Sequence, residues 1–291
     1  DFLFWMGLRF FVGVGDNLLH FATQTWILTT TKEEERGIKI SFYGFSYGLG
    51  FGIGPLGINL YEIHPWFPFL FLFGSYLFVA VWVFFLKNDY PTPLPKREEV
   101  KKETLLGPYL ETLRFGWFTL LPAFLYGYLE STLNNNFPVY ALRVGMTPER
   151  ISFLLSAFIL GGLILQIPLG KWSDRLGRGR VLAGIFILGG LFLFLIPLGN
   201  TSFVLLLLFF LLSGALVGSS YSLGLAYSAD VLPGERISKA NILASILFSI
   251  GSMTGAGLNG FILERTYPSL LFFLLGGSYF LSGAIYFALS V

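Results

Sequence analysis

The stretch that decides the fold runs from Gly170 to Arg180 and reads Gly-Lys-Trp-Ser-Asp-Arg-Leu-Gly-Arg-Gly-Arg. Before it, residues 151–169 include only three polar side chains, and after it, residues 181–198 carry no charge. Each flanking segment is close to the length of about 20 residues that a helix needs to cross a bilayer. The pattern predicts a hairpin of two membrane helices whose short basic loop lies in water.

The order of residues within this loop is more specific than its charge. Asp174 is followed by two arginines and a glycine in fixed positions, and its carboxylate could cap a helix N-terminus. The segment resembles the G-x-x-S-D-R-x-G-R-[KR] loop signature of the major facilitator superfamily of secondary transporters. A basic cytoplasmic loop explains the arginines alone but not this order. The resemblance implies a cytoplasmic gate made by Gly170, Asp174, Arg175, Gly177, Arg178 and Arg180.

The composition excludes several classes of protein and site. With 54% hydrophobic and 12% charged residues and a mean hydropathy of +0.70, the chain differs from soluble domains, which carry about 25% charge. A net charge of +2 is too small to indicate a nucleic-acid partner. The chain has no cysteine and two histidines, which excludes disulfides, thiol catalysis and a histidine metal cluster. We therefore expect no metal, no cofactor and no enzymatic activity.

The hydrophobic pattern predicts an all-α polytopic membrane protein, because lipid offers backbone groups no partner outside a helix. Between the third and fourth spans, residues 87–114 are polar and contain three prolines before a run of charges, which predicts a cytoplasmic linker with a surface helix. The nine predicted spans are 3–29, 40–61, 67–86, 115–140, 151–169, 181–198, 203–229, 240–262 and 267–290.

Lysine and arginine counts predict the orientation. Fifteen of these residues fall in alternate loops on one side, and three fall on the other, so the richer side with the signature loop is expected to be cytoplasmic. The first span would then enter from outside. Because the chain starts with Asp1 inside an apolar segment and shows no signal-peptide pattern, we expect it to be truncated at the N-terminus.

The chain also repeats at an offset of 200 residues, as duplicated transporter folds do. This repeat and the resemblance together imply helices four to twelve of a twelve-helix major facilitator fold. The predicted domains are the end of an N-terminal bundle at 1–86, the linker at 87–114 and a C-terminal six-helix bundle at 115–291. The repeated residues are Glu35-Arg36 with Glu235-Arg236, Lys39 with Lys239, Gly57 with Gly257, and Asn59 with Asn259.

Two motifs in the first spans resemble superfamily patterns. Arg9, with glycines four and six residues later, resembles the helix-four pattern R-x-x-x-G-x-G, which implies proton coupling or substrate binding; Asp16 lies two turns on along the same face. Alternatively, Arg9 snorkels to the interface and Asp16 pairs with it. The second motif resembles the helix-five G-x-x-x-G-P-x-x-G pattern of drug–proton antiporters, although the last glycine of this chain's motif falls one position early. Alternatively, the motif serves helix packing alone. Its residues are Gly50, Gly54, Pro55 and Gly57.

A carboxyl group in the middle of a span is the main candidate for proton coupling. Glu130 should face a central cavity, where desolvation favours its protonated form, and Asn134 follows one turn later. A structural role within the bundle is the alternative for Glu130. Other candidate cavity residues, or else polar contacts between helices, are Gln166, Tyr221, Tyr227 and Asn241. The resemblance adds Asp230, Glu235 and Arg236 to the gate.

The resemblance implies a secondary transporter, similar to bacterial drug or metabolite efflux antiporters, that moves a small molecule against a proton gradient by alternating access. Its partners would be substrate, protons and lipid, and we expect a monomer in the cytoplasmic membrane of a prokaryote. A proton-coupled importer of a sugar or organic anion is the nearest alternative. A structural or regulatory membrane subunit is another, and an intramembrane enzyme is disfavoured because no nucleophile–base pair is evident.

Overall fold

The computed structural model describes residues 2–31, 33–85 and 106–290, and these contain helices and no strand. Three helices continue into other helical forms: a 3₁₀ segment at Gly54–Glu62, a π segment at Thr132–Asn136 and a second 3₁₀ segment at Ile196–Thr201. The helices are α1 (Phe2–Thr30), α2 (Glu33–Ile53), α3 (Phe67–Phe84), α4 (Gly107–Ser131), α5 (Phe137–Arg143), α6 (Pro148–Leu176), α7 (Arg178–Leu195), α8 (Phe203–Val217), α9 (Ser220–Val231), α10 (Gly234–Arg265) and α11 (Leu270–Ser290).

Every predicted span coincides with helix in the described residues, which confirms the all-α membrane fold class. Within the described part of the chain, six helical stretches are long and apolar enough to cross a membrane. The three other predicted spans lie in α1, in α2 with its 3₁₀ continuation, and in α4–α5, where polar residues interrupt the apolar sequence. The six stretches are Phe67–Phe84, Pro148–Leu176, Arg178–Gly199, Phe203–Val231, Gly234–Arg265 and Leu270–Ala288.

The described residues form two compact units. The first comprises residues 1–47 and 69–101, and the second comprises 48–68 and 102–291. In the first unit, His20 of α1 shares a hydrogen bond with the Tyr43 hydroxyl and packs against the Tyr47 ring of α2 at 4.3 Å. Most of the predicted linker, at 86–105, lies outside the described residues, and α4 begins at Gly107 with Pro108 in its first turn.

The core of the second unit lies between α5, α8 and α11 and is rich in aromatic side chains. The Phe137 ring is 4.8 Å from that of Phe210 and 6.0 Å from that of Phe272, and all three residues are fully buried. Tyr140 stands edge-on to Phe272 at 5.1 Å. Rings at these separations and tilts gain quadrupole attraction in addition to dispersion, so this cluster ties three helices together.

Backbone contacts at glycines hold the helices of the second unit in pairs. A Cβ added to Gly251 of α10 would lie 2.1 Å from the Phe124 carbonyl oxygen of α4, and one at Gly214 of α8 would lie 1.8 Å from that of Phe158 on α6. Between α7 and α11, Gly190 and Gly276 face each other in the same way. Helices in lipid gain little from burying apolar surface, so close backbone packing of this kind stabilises the bundle.

The signature segment differs from the predicted loop. Helix α6 continues through Leu176 and α7 starts at Arg178, so Gly177 alone joins them. Its φ of +93° is a conformation that glycine adopts without steric cost. Residues 171–176 include neither glycine nor proline, so nothing ends the helix before this point. Asp174 does not occupy the predicted N-cap position, because it lies within α6 and the N-cap of α7 is Gly177.

Three spans that the hydrophobic pattern predicts as continuous helices change form along their length. The 40–61 span passes from α-helix to 3₁₀ helix at Gly54 and Pro55. The 115–140 span contains the π segment, and the 203–229 span is split at Gly218 and Ser219. Hydropathy depends on side-chain polarity alone, so it does not detect such changes in backbone hydrogen bonding.

Replacing Gly251 with alanine tests the glycine packing. Because the new methyl would meet the backbone of α4, we expect Gly251→Ala to destabilise the bundle by about 1–3 kcal/mol, as overpacking does. The measurement is thermal unfolding in detergent. Gly257 of the same helix has open space at its Cβ position, so Gly257→Ala is the control and should leave the unfolding temperature unchanged or slightly raised. Equal behaviour of the two variants would contradict this role for glycine.

Candidate functional site

Glu130 lies in the last turn of helix α4, directly before the π segment. Its side chain is largely buried, and it makes no hydrogen bond or ion pair with any residue that the structure describes. An ionised carboxylate in this position would be costly, because no cation among the described residues compensates its charge. Its predicted role in proton coupling stays a prediction.

An aromatic patch lies beside Glu130. Tyr126, one helical turn earlier, is 6.3 Å from the Tyr221 ring of α9 and 6.2 Å from the Phe248 ring of α10, and these two rings are 5.8 Å apart. Residues four apart on a helix share a face, so Glu130 and this patch belong to the same side of α4. Tyr221 is thus brought close to the carboxyl-bearing helix, as a cavity residue would be.

A buried polar network supports the π segment that follows Glu130. Asn259 of α10 is fully buried, accepts a hydrogen bond from the Tyr128 hydroxyl at 3.2 Å and donates to the Thr132 hydroxyl at 2.7 Å. The Asn136 amide donates to the Gly255 carbonyl at 3.0 Å. Because π turns recur at functional sites and buried networks fix one geometry, these contacts hold the backbone after Glu130 in place.

Sequence analysis considered Asn259 only as a member of the repeat and missed its role as the centre of this network. The available signal was an amide in the middle of a glycine-rich membrane span, since an unpaired amide is costly at that depth. The Asn135 amide donates a hydrogen bond back to the Ser131 carbonyl at 3.0 Å.

The other predicted cavity residues do not all converge on Glu130. Asn134 is exposed within the π segment, and Gln166 is exposed on α6. Asn241 is exposed on α10, next to a shallow groove of about 400 Å³. Tyr227 lies elsewhere, with its ring 5.7 Å from Phe118 and 6.4 Å from Tyr286. Three isoleucines, two serines and a methionine line the groove: Ile242, Ser245, Ile246, Ser249, Ile250 and Met253.

Arg9 and Asp16 belong to the first unit, and both are exposed on α1. No ion pair joins them within the described residues, so the predicted alternative that Asp16 merely pairs with Arg9 has no support there. Glu130 belongs to the second unit.

The signature residues form a charge cluster with the end of α9. Arg178 pairs with Asp174 at 2.9 Å, and its Nε donates to Asp230 at 2.5 Å. Gly170 contributes a carbonyl that accepts from the Ser173 hydroxyl at 2.7 Å. Arg178 thus links α6, α7 and α9, and its planar guanidinium suits contact with two carboxylates.

The remaining gate residues behave differently. Arg175, Arg180 and Glu235 are exposed at this end of the unit. Arg236 does not join the signature cluster; it pairs with Glu111 of α4 at 3.0 Å and stacks over the Phe115 ring at 5.3 Å. Two separate charge clusters, rather than one, therefore lie at this end of the second unit.

At the opposite end of the second unit, the 3₁₀ segment packs against α6. A Cβ added at Gly50, Gly54 or Gly57 would meet no described atom within 4 Å, so the close packing predicted for this motif stays a prediction. Gly48 and Gly52, also four apart, contact α6 instead: their added Cβ atoms would lie 2.8 Å from Leu163 and 3.5 Å from Ile159. The helix turns this pair toward α6, and the motif glycines lie on other faces.

Two further polar contacts lie at this junction. Ser152 donates to Asn59 at 3.2 Å, and Glu62 is hydrogen-bonded to Glu149. The hydrogen bond to Glu149 and the repulsion between the two carboxylates raise the pKa of Glu62 above its usual value. Glu62 is exposed, and its pairing with Glu149 depends on a long-range contact that no local pattern reveals.

Comparison with known proteins assigns the family. The family model described as Major Facilitator Superfamily matches residues 1–147 and, a second time, residues 119–291. The chain belongs to this superfamily. An uncharacterized transporter of the superfamily from Bacillus subtilis strain 168, YfkF, is 38% identical over 271 residues, which cover 93% of the chain and 68% of the relative.

More distant superfamily relatives occur in other bacteria. The uncharacterized transporter YE1530 of Yersinia enterocolitica is 25% identical over 300 residues, with 95% of the chain and 70% of the relative covered. YcaD of Escherichia fergusonii, also an uncharacterized transporter, is 23% identical over 287 residues, with the same coverage. Membership confirms that the chain is a secondary transporter of the major facilitator type, that its helices are integral to a membrane and that it is not an enzyme.

The Glu62–Glu149 pair makes the contact between the 3₁₀ segment and α6 sensitive to pH. Since the folded-state pKa of Glu62 is raised, its protonated form favours the contact with α6, which weakens as pH rises through that pKa. We expect spin labels at Ile63→Cys and Phe153→Cys to move apart on average as pH rises. Their distance distribution is measured by pulsed electron paramagnetic resonance.

Glu62→Gln should abolish this pH response, because an amide keeps a hydrogen-bond donor at every pH. Glu264→Gln, at an exposed carboxyl near the end of α10, should respond as the parent protein does. A pH response that survives in Glu62→Gln would exclude the carboxyl pair as its origin.

Proposed function

We propose that the protein is a proton-coupled efflux transporter that exports a small drug or metabolite by alternating access. It would act as a monomer in the cytoplasmic membrane of a prokaryote, with the Gly177 end of α6 in the cytoplasm. The observation that carries the proposal is Glu130, a largely buried carboxyl in a membrane helix that has no polar partner among the described residues.

Proton coupling requires a group that holds its proton in one state and releases it in another. Burial favours the neutral form of Glu130, and contact with water would favour the ionised form. The fixed backbone after Glu130, held by Asn259 and Asn136, keeps the carboxyl at one depth while access changes. Arg9 and Asp16 of the first unit are further candidates for proton or substrate contacts.

The aromatic patch beside Glu130 and the groove along α10 favour an amphipathic or lipophilic substrate. The Tyr126, Tyr221 and Phe248 rings offer flat apolar faces, and the groove along α10 is apolar apart from its serine hydroxyls. Ligand sites of this composition bind by apolar contact and orient the ligand with a few polar groups. Gln166, Asn134, Asn241 and Tyr227 would extend the polar part of such a site.

Alternating access would involve two bundles, 1–86 and 115–291, that rock about the substrate while residues 87–114 connect them. The Asp174–Arg178–Asp230 cluster would stabilise one arrangement of α6, α7 and α9 at the cytoplasmic end. Arg175, Arg180 and Glu235 are exposed there and would be available for contacts in the closed gate. Rearrangement of such charge pairs is a common element of two-state switching.

Glu130→Gln tests the proton-coupling role. Since an amide cannot release a proton in the working pH range, we expect proton-coupled transport to fall to background while expression stays normal. The assay uses the protein in everted vesicles energised by respiration. A quenching dye follows the pH gradient while lipophilic cations, siderophores and sugars are added singly. Collapse of the gradient on addition of one compound would establish antiport and name the substrate class.

Glu264→Gln, at an exposed carboxyl, is the matched control and should transport as the parent protein does. Undiminished proton coupling in Glu130→Gln would exclude Glu130 as the carrier. No gradient collapse with any compound, together with uptake of a sugar or organic acid by whole cells, would replace efflux by import.

A further inference from the structure

Helix α4 contains a proline in its interior. Pro122 is buried, and α4 continues through it from Gly107 to Ser131. A proline has no backbone N–H, so the carbonyl four residues earlier, that of Phe118, loses its helical partner. The proline ring also pushes against this carbonyl, and helices bend at such positions. An unpaired carbonyl is costly inside a membrane protein, so the Phe118 carbonyl needs another donor.

Tyr286 of α11 supplies this donor. Its hydroxyl donates a hydrogen bond to the Phe118 carbonyl, although 168 residues separate the two in the chain. The Tyr286 side chain is 1% exposed, and its ring stands edge-on to the Phe186 ring of α7 at 5.5 Å. The Tyr227 ring of α9 lies 6.4 Å from the Tyr286 ring and 5.7 Å from the Phe118 ring. Rings from two further helices thus hold the hydroxyl at the carbonyl that the proline has freed.

Helix α9 also fits the proline. A Cβ added to Gly224 would lie 2.8 Å from the Pro122 Cβ and 3.1 Å from the Thr119 carbonyl oxygen, so a larger residue there would meet α4. The Ser228 hydroxyl, one turn later on α9, donates to the Thr119 hydroxyl at 2.7 Å. Two neighbours of α4 are therefore fitted to this point, because α9 leaves room for the ring and α11 completes the hydrogen bonding.

Pro122 separates two parts of α4 that are tied to the bundle by different bonds. Just before it, hydroxyl groups of α9 and α11 bond to α4; beyond it, the Asn259 amide of α10 donates to the Thr132 hydroxyl at 2.7 Å. Glu130 lies in the second part, about 12 Å along the helix from the proline. A change of about 10° in the bend would displace the Glu130 backbone by about 2 Å.

We propose that Tyr286 is a positioning residue that sets the bend of α4 at Pro122 and therefore the placement of Glu130. A helical amide would bond to the Phe118 carbonyl whatever the neighbouring helices do, whereas the Tyr286 hydroxyl reaches it only while α11 stays beside α4. The orientation of the end of α4 that carries Glu130 thus depends on α11. The relevance to proton coupling rests on the proposed function, but the hydrogen bond and the bend do not.

A double-mutant cycle in the purified protein tests the pairing. Tyr286→Phe removes only the hydroxyl and leaves the Phe118 carbonyl unpaired, so we expect the thermal unfolding temperature in detergent to fall by about 2–6 °C. Pro122→Ala restores the helical amide, so Tyr286→Phe should cause almost no further fall in that background.

Pro168→Ala provides the matched control background. Pro168 also lies inside a helix, α6, but the amide restored there would face the carbonyl of Ile164 and not that of Phe118. Tyr286→Phe should therefore lower the unfolding temperature in this background as much as in the parent protein.

The bend itself is measured as a distance. The chain has no cysteine, so spin labels at Leu110→Cys on α4 and Leu176→Cys on α6, both exposed, report the position of the first part of α4 by pulsed electron paramagnetic resonance. Tyr286→Phe and Pro122→Ala should each shift this distance, by about 3 Å for a change of about 10° in the bend. The double variant should shift it no further than Pro122→Ala alone.

Two results would overturn the proposal. Equal losses of stability from Tyr286→Phe in the parent and in the Pro122→Ala background would show that the hydroxyl does not serve the carbonyl that Pro122 frees. An unchanged label distance in Tyr286→Phe would show that the bond does not set the bend. Neither measurement involves transport, so undiminished proton coupling in Glu130→Gln would remove Glu130 as the carrier and leave the role of Tyr286 in the bend intact.

Discussion

Backbone contact between paired helices is the constraint on which the second unit depends. Moving an apolar side chain from lipid into the protein interior gains almost no free energy. The bundle therefore relies on dispersion attraction between helix surfaces that approach closely. Glycines allow that approach on three seams, between α4 and α10, α6 and α8, and α7 and α11, where a single methyl would overlap the facing backbone. The aromatic core around Phe137 fills the space that these seams enclose.

The seams also determine where polar groups can stand. The α4–α10 seam brings Asn259 to Thr132 and Tyr128, so the π segment after Glu130 is fixed by hydrogen bonds that only close helices can make. The α6–α8 seam likewise holds Gly218 against Gly162. Close packing of the helices therefore fixes the backbone that follows the Glu130 carboxyl.

The sequence was sufficient for the helical membrane fold, the span positions and the charge cluster around Arg178, because hydropathy and motif order are local properties. It was insufficient where backbone form depends on neighbours. The signature segment was expected to be a loop, although nothing before Gly177 ends the helix. The glycines that face α6 proved to be Gly48 and Gly52, because the rotation of a helix about its axis depends on contacts along its whole length. Asn259 and the pairing of Glu62 with Glu149 required partners over 80 residues distant in the chain.

Because Gly177 is the single residue between α6 and α7, this hairpin tolerates no change in the length of its connection. Each residue of a helix advances the chain by about 100°, so one inserted or deleted residue near Gly177 would turn all of α7 relative to α6. Arg178 would then leave its place between Asp174 and Asp230, and the glycines of α7 would turn away from α11. Gly177 therefore fixes the rotation of α7 relative to α6. During evolution, insertions and deletions in this segment are restricted to those that restore the same rotation.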